Sequence, residues 1–409
     1  MKLHLKSPAE TLFKAAIEIT GSKSESNRCL LLAALFSGLE IDNLSNSDDA
    51  QYMQQGLKIE EGTVDIHHAG TAMRFLTGYF ASQEGKEIVL TGSKRMKERP
   101  IKILVEALRV LGASIKYVGE DGFPPLKISG KKLANSAVSL PADISSQYIS
   151  SLLLIAPSLE NGLELSLIGK ITSVPYIKMT LALLNEIGVT TSFKENVIKV
   201  EAQTKVLPKK LVVESDWSSA SYFYSILALS AVGSEVTLSS YKQNSLQGDS
   251  ILAKIYTNFG VETTFKNHTI ILKKIANSTT EKLEFDLANA PDIAQTIAVT
   301  SFGLGIACHL TGLHTLKIKE TDRLEALNIE LTKLGAAITV TNTSLTLETS
   351  EILHSNVEIA TYNDHRMAMA FAPLALKTEL IIEDAEVVSK SYPDFWEDLK
   401  TLQFNVKEL

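Results

Sequence analysis

The sequence predicts an α/β protein with two domains, and three observations lead to this prediction. Its 409 residues are enough for two or three domains with separate cores. An amphipathic helix that ends in Gly, followed by a short β-rich run, recurs along the chain. Strand candidates outnumber helices and do not alternate strictly with them, so a singly or doubly wound parallel sheet fits poorly. We therefore predict repeated units whose helices collect inside sheets, with three units in each domain.

The repeat is clearest in four segments, and two weaker segments extend the series to six units. In the four clear segments a glycine follows the last helical residue, where a left-handed backbone costs glycine least. The four segments are 104–115, 181–193, 251–265 and 327–340, with Gly112, Gly188, Gly260 and Gly335, and the weaker ones are 48–59 and 394–404. Alternating strand candidates lie between them at 87–92, 126–130, 163–169, 235–240, 269–274 and 345–350.

Composition excludes several classes of protein. The chain has 40 Lys and Arg against 47 Asp and Glu, a formal charge of -7, so it offers no general attraction for nucleic acid. Cys29 and Cys308 both lie in apolar runs and cannot form a disulfide framework, which predicts a reducing compartment. We find no leader peptide and no membrane span in the sequence. We therefore expect a cytoplasmic protein, monomeric, with no nucleic-acid or membrane partner.

Positive side chains stand at the starts of five predicted helices, where the helix dipole disfavours them. A lone Arg at such a place is usually a solvated surface cation, but here polar Gly, Ser or Thr residues adjoin the cations, which favours a shared anion site. The sequence GSKS at 21–24 lacks the glycines of a nucleotide-binding P-loop, so we reject that interpretation. The five sets are Lys23 with Arg28; Arg74 after Gly70 and Thr71; Arg95, Lys97 and Arg99 before Pro100; Lys319 with Arg323; and His365 with Arg366.

Eleven motifs in order along the chain resemble those of the 5-enolpyruvylshikimate-3-phosphate synthase family of enolpyruvyl transferases. They include GSKSESNRCLLLAAL from Gly21, AGTAMRF from Ala69, SSQYISS from Ser145, APDIAQT from Ala290, KETDRL from Lys319 and NDHRMAM from Asn363. The resemblance implies two domains in an inverted α/β barrel fold, each of three βαβαββ-like units, on either side of a cleft. With a crossover in the polar run 241–249, we predict one domain over 22–244 and the other over 1–21 and 245–409.

The resemblance also implies a reaction: transfer of the carboxyvinyl group of phosphoenolpyruvate to the 5-hydroxyl of shikimate 3-phosphate, without a cofactor or metal. The methylene carbon must gain a proton and the hydroxyl must lose one, so a general acid and a general base are needed. By their motifs, Glu320 is similar to the residue that moves the methyl proton and Asp292 to the one that takes the hydroxyl proton. Lys23 and Lys390 are implied on either side of the reacting carbon. His365 is either an aid to proton transfer or a structural histidine.

Binding residues follow from the same motifs. Those expected at shikimate 3-phosphate are Lys23, Ser24, Arg28, Ser145, Ser146, Gln147, Ser173, Tyr176, Asp292, Thr315 and Lys319. Those expected at phosphoenolpyruvate are Lys23, Gly70, Arg99, Gln147, Arg323, Arg366 and Lys390. Taken singly, several have plainer explanations: Asp292 suits a helix start, the serines suit helix caps, and Tyr176 suits a core.

Three positions depart from the common pattern of the family, namely His68, Phe75 and Thr315. The segment 49–68 is also short, which predicts a truncated unit. Two alternatives stay open. One is the enolpyruvyl transferase that acts on UDP-N-acetylglucosamine, although its Lys-Asn pair is absent because Ser24 follows Lys23. The other is a non-catalytic anion-binding relative, which the presence of both Asp292 and Glu320 disfavours.

Overall fold

The structure is a computed structural model that describes residues 1–142, 145–169, 171 and 173–409. The helices are α1 (Lys23–Leu35), α2 (Asp48–Leu57), α3 (Gly70–Ser82), α4 (Lys94–Lys97), α5 (Lys102–Leu111), α6 (Ser146–Ile155), α7 (Val174–Glu186), α8 (Trp217–Leu229), α9 (Leu252–Ile255), α10 (Ala294–Gly303), α11 (Arg323–Lys333), α12 (His365–Phe371) and α13 (Phe395–Thr401). The strands are β1 (Leu3–Lys6), β2 (Lys14–Ile17), β3 (Leu39–Asp42), β4 (Glu61–Asp65), β5 (Glu87–Thr91), β6 (Ser114–Tyr117), β7 (Leu126–Ser129), β8 (Ala137–Pro141), β9 (Leu163–Ile168), β10 (Thr191–Lys194), β11 (Val197–Val200), β12 (Lys209–Val212), β13 (Glu235–Leu238), β14 (Val261–Lys266), β15 (Thr269–Lys274), β16 (Lys282–Asp286), β17 (Ala307–Thr311), β18 (Ile338–Val340), β19 (Leu345–Leu347), β20 (Val357–Ile359), β21 (Leu380–Ile382) and β22 (Asn405–Glu408).

The chain forms two compact units. One is Gly21–Val213, called here the central unit; the other joins Met1–Thr20 to Glu214–Leu409 and is called the split unit. The second boundary therefore lies at Val213 and Glu214 rather than at the predicted position 244/245. The reason is that β13 pairs in parallel with β2, and α8 packs in the same core as β1, so residues 214–244 belong with the N-terminal strands.

Five four-stranded sheets share one topology, which confirms the predicted repeat. Each has a parallel pair of strands followed by two antiparallel strands, as in the order β4-β5-β7-β6 of the central unit. The split unit has three such sheets, ordered β20-β21-β1-β22, β2-β13-β15-β14 and β16-β17-β19-β18. The central unit has two, the second being β8-β9-β11-β10, and the parallel pair β3-β12. That pair lacks the antiparallel strands, in agreement with the predicted truncated unit.

The helices that follow the parallel strands lie in the core of each unit. All of α3 except its last residue is buried in the central unit, including Phe75 and Phe80. In the split unit α8 is buried almost throughout, with Trp217 and Phe223 fully inaccessible. Helices that are apolar on every side must be surrounded by other elements, so these helices lie inside the sheets, as predicted. No helix in the described ranges is both long and apolar enough to cross a membrane.

The four predicted glycines end their helices as expected. Gly112, Gly188, Gly260 and Gly335 all have positive φ, at 110°, 92°, 75° and 103°. Gly260 is also fixed by space, because a Cβ there would lie 1.9 Å from the carbonyl oxygen of Ala276.

Two helix starts differ from prediction. Arg95 and Lys97 form part of the short helix α4, and α5 begins at Lys102 rather than at Pro100. Lys319 lies outside α11, which begins at Arg323 with Asp322 as its N-cap. Asp322 accepts from the N–H of Glu325 and so sets the start of α11, and hydrophobic periodicity does not reveal such a bond.

Candidate active site

In the central unit, the start of α1 brings Lys23 and Ser24 next to a polar turn. Gly21 makes this possible, because a Cβ at Gly21 would lie 1.9 Å from the carbonyl oxygen of Asn43. Lys23 is partly exposed and makes no hydrogen bond or ion pair with any described residue of its chain. It is therefore a cation whose charge no neighbouring carboxylate compensates.

Arg28, one turn further along α1, is a buried cation held by neutral groups. Its guanidinium donates to the carbonyl oxygen of Ser24 at 2.6 Å, to Thr180 Oγ1 at 2.8 Å and to Ser150 Oγ at 2.9 Å. Its side chain has no carboxylate within ion-pair distance among the described residues. Burial lowers the pKa of Arg28 to about 10, because the charged form loses its hydration without gaining a counter-ion. A bound anion would supply that counter-ion.

Gly70 and Arg99 are brought into contact at the start of α3. A Cβ on Gly70 would lie 2.7 Å from Arg99 Nη1, so this residue must be glycine for the guanidinium to keep its place. Arg74 supports the pair from within the core, donating to the carbonyl oxygens of Gly70 at 3.2 Å and Pro100 at 3.3 Å. Burial and the neighbouring Arg99 lower the pKa of Arg74 to about 10. Two positive groups, Arg74 and Arg99, thus gather beside one glycine backbone.

Several of the polar residues predicted for shikimate 3-phosphate lie at the starts of α6 and α7. Ser145 caps α6 by accepting from the backbone N–H of Gln147 at 3.3 Å, and Gln147 Nε2 donates to Thr71 Oγ1 at 3.4 Å. Ser173 precedes α7 with a left-handed φ of 54° and no side-chain cap bond, which leaves its hydroxyl outside the helix hydrogen-bonding pattern. Tyr176 contacts Arg28, whose Cζ lies 5.9 Å from the ring centroid. Ser146 is the first residue of α6.

Two departures from the family pattern have specific contacts. Phe75 is fully buried, and its ring centroid lies 5.3 Å from Arg28 Cζ, a cation–π distance. His68 Nε2 lies 3.5 Å from Asp48 Oδ2, and Tyr52 packs edge-on against the His68 ring. Phe75 therefore helps to hold Arg28, and His68 fastens the loop before Gly70 to the first turn of α2.

In the split unit, Arg323 at the start of α11 is the centre of an ion-pair network. Nε donates to Asp364 at 2.7 Å, Nη1 to Asp292 at 2.8 Å and Nη2 to Glu320 at 2.8 Å. The guanidinium is almost fully buried, yet its three carboxylates outweigh the cost of burial and raise the pKa of Arg323 above its usual range. Asp292 and Glu320, the two predicted proton carriers, thus both accept hydrogen bonds from the Arg323 side chain, which fixes their positions.

Asp292 lies in a 3₁₀ turn, Pro291–Ile293, and is surrounded by cations. Besides Arg323, Lys319 lies 3.4 Å from Oδ1 and Arg366 lies 3.3 Å from Oδ2. Burial alone would raise the pKa of Asp292, but Arg366, Lys319 and Arg323 together hold it well below its usual range. Asp292 is thus ionised, and among these cations it is a weak base.

The remaining predicted residues of the split unit lie on neighbouring segments. His365 is the first residue of α12 and is buried. Lys390 ends the 3₁₀ segment Ala385–Lys390 and donates to the carbonyl oxygen of Asn363 at 2.6 Å. Thr315 lies in the 3₁₀ segment His314–Ile318, and its buried hydroxyl has no hydrogen-bond partner among the described residues.

Sequence reasoning missed several carboxylates of the split unit. Asp364 caps α12 and also accepts from Arg323, and Asp249 bonds to Ser218, whose hydroxyl accepts from Arg366 at 3.2 Å. Burial first, and then the charge of Asp292, raises the pKa of Asp249 to about 7. Arg323 and Arg366 thus have carboxylate partners in the fold, which were not predicted from the sequence, and the expected substrate anions at these two residues stay a prediction. Arg323 bonds to Asp292, Glu320 and Asp364, and Arg366 bonds to Asp292 and Ser218. Only the folded chain brings these groups to the two guanidinium groups.

Comparison with known proteins shows the family and the fold of this chain. The family model of EPSP synthase (3-phosphoshikimate 1-carboxyvinyltransferase) matches residues 57–399. A 3-phosphoshikimate 1-carboxyvinyltransferase of Bacteroides fragilis is 46% identical, and the match covers 100% of this chain and 99% of the relative. One from Haemophilus influenzae is 36% identical over 95% of this chain and 96% of its own. The solved structure of an EPSP synthase from Acinetobacter baumannii has the same fold, with a TM-score of 0.81, 23% identity and full coverage of both chains. This chain belongs to the EPSP synthase (3-phosphoshikimate 1-carboxyvinyltransferase) family.

Proposed function

We propose that the protein transfers the carboxyvinyl group of phosphoenolpyruvate to the 5-hydroxyl of shikimate 3-phosphate and releases phosphate, a step on the shikimate route to chorismate and the aromatic amino acids. The observation that best supports this function is the network on Arg323, which holds two carboxylates of different surroundings, Asp292 and Glu320, on one guanidinium. The reaction needs one group to accept a proton and one to donate it.

In the central unit, we propose that shikimate 3-phosphate is bound by the cations and hydroxyls described above. Arg28 is preorganised for this role because neutral acceptors already fix its orientation without neutralising its charge. Lys23 and Arg99, which have no partner among the described residues, would bind the phosphate and carboxylate groups of the two substrates. The residues assigned to shikimate 3-phosphate here are Lys23, Ser24, Arg28, Ser145, Ser146, Gln147, Ser173 and Tyr176, and those assigned to phosphoenolpyruvate are Lys23, Gly70, Arg99 and Gln147.

In the split unit, Arg366 and Lys390 would bind phosphoenolpyruvate, while Lys319 and Thr315 would bind shikimate 3-phosphate. Arg323 has five N–H donors and uses four of them in the bonds to Asp292, Glu320 and Asp364, so one N–H on Nη1 is left for a substrate. Its larger role in this proposal is to position the two acids.

Asp292 would take the proton of the 5-hydroxyl once the substrates are bound. Without substrate, three cations keep its basicity low. When the substrate phosphate and carboxylate groups compete for Arg366 and Lys319, the Asp292 carboxylate loses part of that stabilisation and its pKa rises. Binding of the correct anions would thus switch on the base.

Glu320 would give a proton to the methylene carbon of phosphoenolpyruvate as the hydroxyl oxygen attacks the neighbouring carbon. The resulting adduct then loses a methyl proton to Glu320 as the C–O bond to phosphate breaks, which restores the double bond. The proton from the hydroxyl leaves with the departing phosphate or through Asp292, so protons balance over the cycle. Lys23 and His365 would assist by stabilising the charge that develops at the reacting centre.

The test is release of inorganic phosphate from a mixture of the protein, shikimate 3-phosphate and phosphoenolpyruvate, with no metal or nucleotide added. We expect phosphate release that requires both substrates. Release only with UDP-N-acetylglucosamine in place of shikimate 3-phosphate would assign the other enolpyruvyl transfer. Binding of both ligands without release would identify a non-catalytic relative. We also propose that the protein is a cytoplasmic monomer, which size-exclusion chromatography with light scattering and cell fractionation would test.

A further inference from the structure

The segment that leads into α12 is a strained turn. The N–H of Asp364 donates to the carbonyl oxygen of Thr361 at 2.8 Å, and the two residues between them, Tyr362 and Asn363, have φ of 53° and 55°. Two positive φ angles closed by this bond are the pattern of a type I′ turn. Asn tolerates this conformation, but Tyr is disfavoured in it because its Cβ crowds the backbone. Something outside the turn must hold Tyr362 in place.

This turn fixes the positions of three groups that belong to the candidate site. Asp364, which accepts from Arg323, closes the turn, and Arg366 follows two residues later with its N–H bonded to the Asp364 carboxylate at 2.9 Å. Lys390 donates to the carbonyl oxygen of Asn363 at 2.6 Å. A change of backbone conformation at Tyr362 would therefore move both Arg366 and the anchor of Lys390.

Glu330 holds the turn from the side of α11. Its side chain is fully buried and accepts from the hydroxyl of Tyr362 at 2.7 Å and from the N–H of Ala360 at 3.1 Å. Lys333 donates to it at 2.7 Å and balances its charge. Burying a carboxylate is unfavourable unless each oxygen accepts a hydrogen bond. One oxygen of Glu330 accepts from Tyr362, the strained residue of the turn, and the other accepts from Ala360, which precedes the turn.

Glu330 and Arg323 lie seven residues apart on α11, which places them on the same face of the helix. Arg323 holds the end of the turn through Asp364, and Glu330 holds its beginning through Ala360 and Tyr362. One rigid helix thus fastens both ends of the strained segment.

We propose that Glu330 is a positioning residue which, through the hydroxyl of Tyr362, sets Arg366 and Lys390 for binding phosphoenolpyruvate. The ligand in this inference, phosphoenolpyruvate, rests on the proposed function. The positioning of Arg366 and Lys390 by Glu330 does not depend on that function. Glu330 itself touches no reacting atom in this proposal.

The first test compares steady-state kinetics of Glu330→Gln and Tyr362→Phe with two matched controls. Glu325→Gln removes an exposed carboxylate from the same helix, and Tyr117→Phe removes a hydroxyl that has no hydrogen-bond partner among the described residues. We expect each test variant to raise the KM for phosphoenolpyruvate about tenfold, with a smaller change in kcat and an unchanged KM for shikimate 3-phosphate. A glutamine has one acceptor oxygen where Glu330 has two, so Glu330→Gln cannot accept from both the Tyr362 hydroxyl and the Ala360 N–H. The effects of the two changes in the double variant should therefore be less than additive. The controls should match the parent protein.

The second test measures amide hydrogen exchange in the segment 361–367 without ligands. We expect exchange in Glu330→Gln to be at least tenfold faster than in the parent and in Glu325→Gln. A lower melting temperature with unchanged exchange and an unchanged KM for phosphoenolpyruvate would reduce Glu330 to a merely structural residue and overturn the inference. If Glu330→Gln does not fold, Tyr362→Phe decides, since it removes a single oxygen atom. If the parent protein releases no phosphate, the proposed function fails, while hydrogen exchange still decides the inference.

Discussion

The two units differ in whether the cations of the candidate site have carboxylate partners. In the central unit, Lys23, Arg28 and Arg99 have no carboxylate partner among the described residues, and the caps of α1 and α3 are Ser22 and Ala69. In the split unit, Arg323 bonds to three carboxylates, and Asp residues cap both α11 and α12. The central unit therefore keeps positive charge available for ligands, whereas the split unit has acids that ligands must compete with.

This difference implies that residues of the two units affect different kinetic quantities, substrate affinity in one unit and turnover in the other. A buried cation without a counter-ion gains the full benefit of an incoming anion, so residues of the central unit should act mainly on affinity. A cation already paired with acids changes the basicity of those acids when an anion arrives, so residues of the split unit should act mainly on turnover. The five predictions that follow test this contrast, in order of decreasing expected effect.

Removing the central cation of each unit should affect stability very differently. Arg323→Met leaves Asp292, Glu320 and Asp364 without their shared partner, and we expect a loss of about 3–5 kcal/mol in the free energy of unfolding. Arg28→Met removes a cation that has only neutral partners, and we expect a loss of about 1 kcal/mol or less. Chemical denaturation followed by circular dichroism measures both values. Equal losses would contradict the difference in charge compensation.

Glu320→Gln should reduce turnover without preventing binding. A glutamine keeps the size and the acceptor oxygen toward Arg323 but cannot transfer a proton, so we expect kcat to fall at least about a hundredfold. Phosphate release measures kcat, and calorimetry with shikimate 3-phosphate measures binding. Unchanged turnover would remove Glu320 from the mechanism.

Gly70→Ala should weaken binding in the central unit. The new methyl group would lie 2.7 Å from Arg99 Nη1, so the flexible guanidinium must move. We expect about a tenfold higher KM for phosphoenolpyruvate, equivalent to about 1.4 kcal/mol, with kcat and melting temperature nearly unchanged. A fall in kcat at constant KM would show that Gly70 acts on turnover rather than on affinity, and would contradict the contrast between the two units.

Asp249→Asn should remove a pH dependence that belongs to the split unit. Burial raises the pKa of Asp249 in the folded protein to about 7, above the 3.8 of an aspartate in water. The folded state therefore binds the extra proton, and the stability from this group is present below about pH 4 and lost as the pH rises to about 7. The slope is about 1.4 kcal/mol per pH unit at most. Denaturation of parent and variant from pH 4 to 8 should give curves that diverge across this window, and parallel curves would contradict it.

His68→Asn should have the smallest effect. The contact of His68 with Asp48 is partly exposed and 3.5 Å long, and even an exposed pair of opposite charges contributes only about 0.2–1 kcal/mol. We expect a change of less than about 1 kcal/mol in the free energy of unfolding and little change in the KM for phosphoenolpyruvate. A large rise in that KM would show that the loop before Gly70 depends on His68 for its position.

Much of the fold could be predicted because it repeats. Six segments with the same helix, glycine and strand pattern were enough to predict three units in each domain, and the glycines at 112, 188, 260 and 335 all end their helices. The second domain boundary was misplaced because the pairing of β13 with β2 joins residues more than two hundred positions apart. Local patterns contain no information about which distant strand will be the partner.

For the candidate site, the assignment of residues to substrates stays a prediction, and several of the partners that the fold brings to these residues could not be predicted. Lys23, Arg28 and Arg99 could be recognised as displaced cations from helix periodicity alone. Asp249, Glu330 and Asp364 could not be assigned, because a carboxylate in a loop or on a helix looks the same in the sequence whether it faces water or a guanidinium.

Charge at helix starts, glycine at helix ends and the repeating apolar pattern are local properties, so the amino-acid order is sufficient to establish them. Whether a cation keeps its charge for a ligand or shares it with an acid depends on which side chains meet inside a low-dielectric core. Coulomb energies there depend on distances of a few ångströms between residues far apart in the chain, such as the 2.7 Å between Arg323 and Asp364, and those distances exist only after folding.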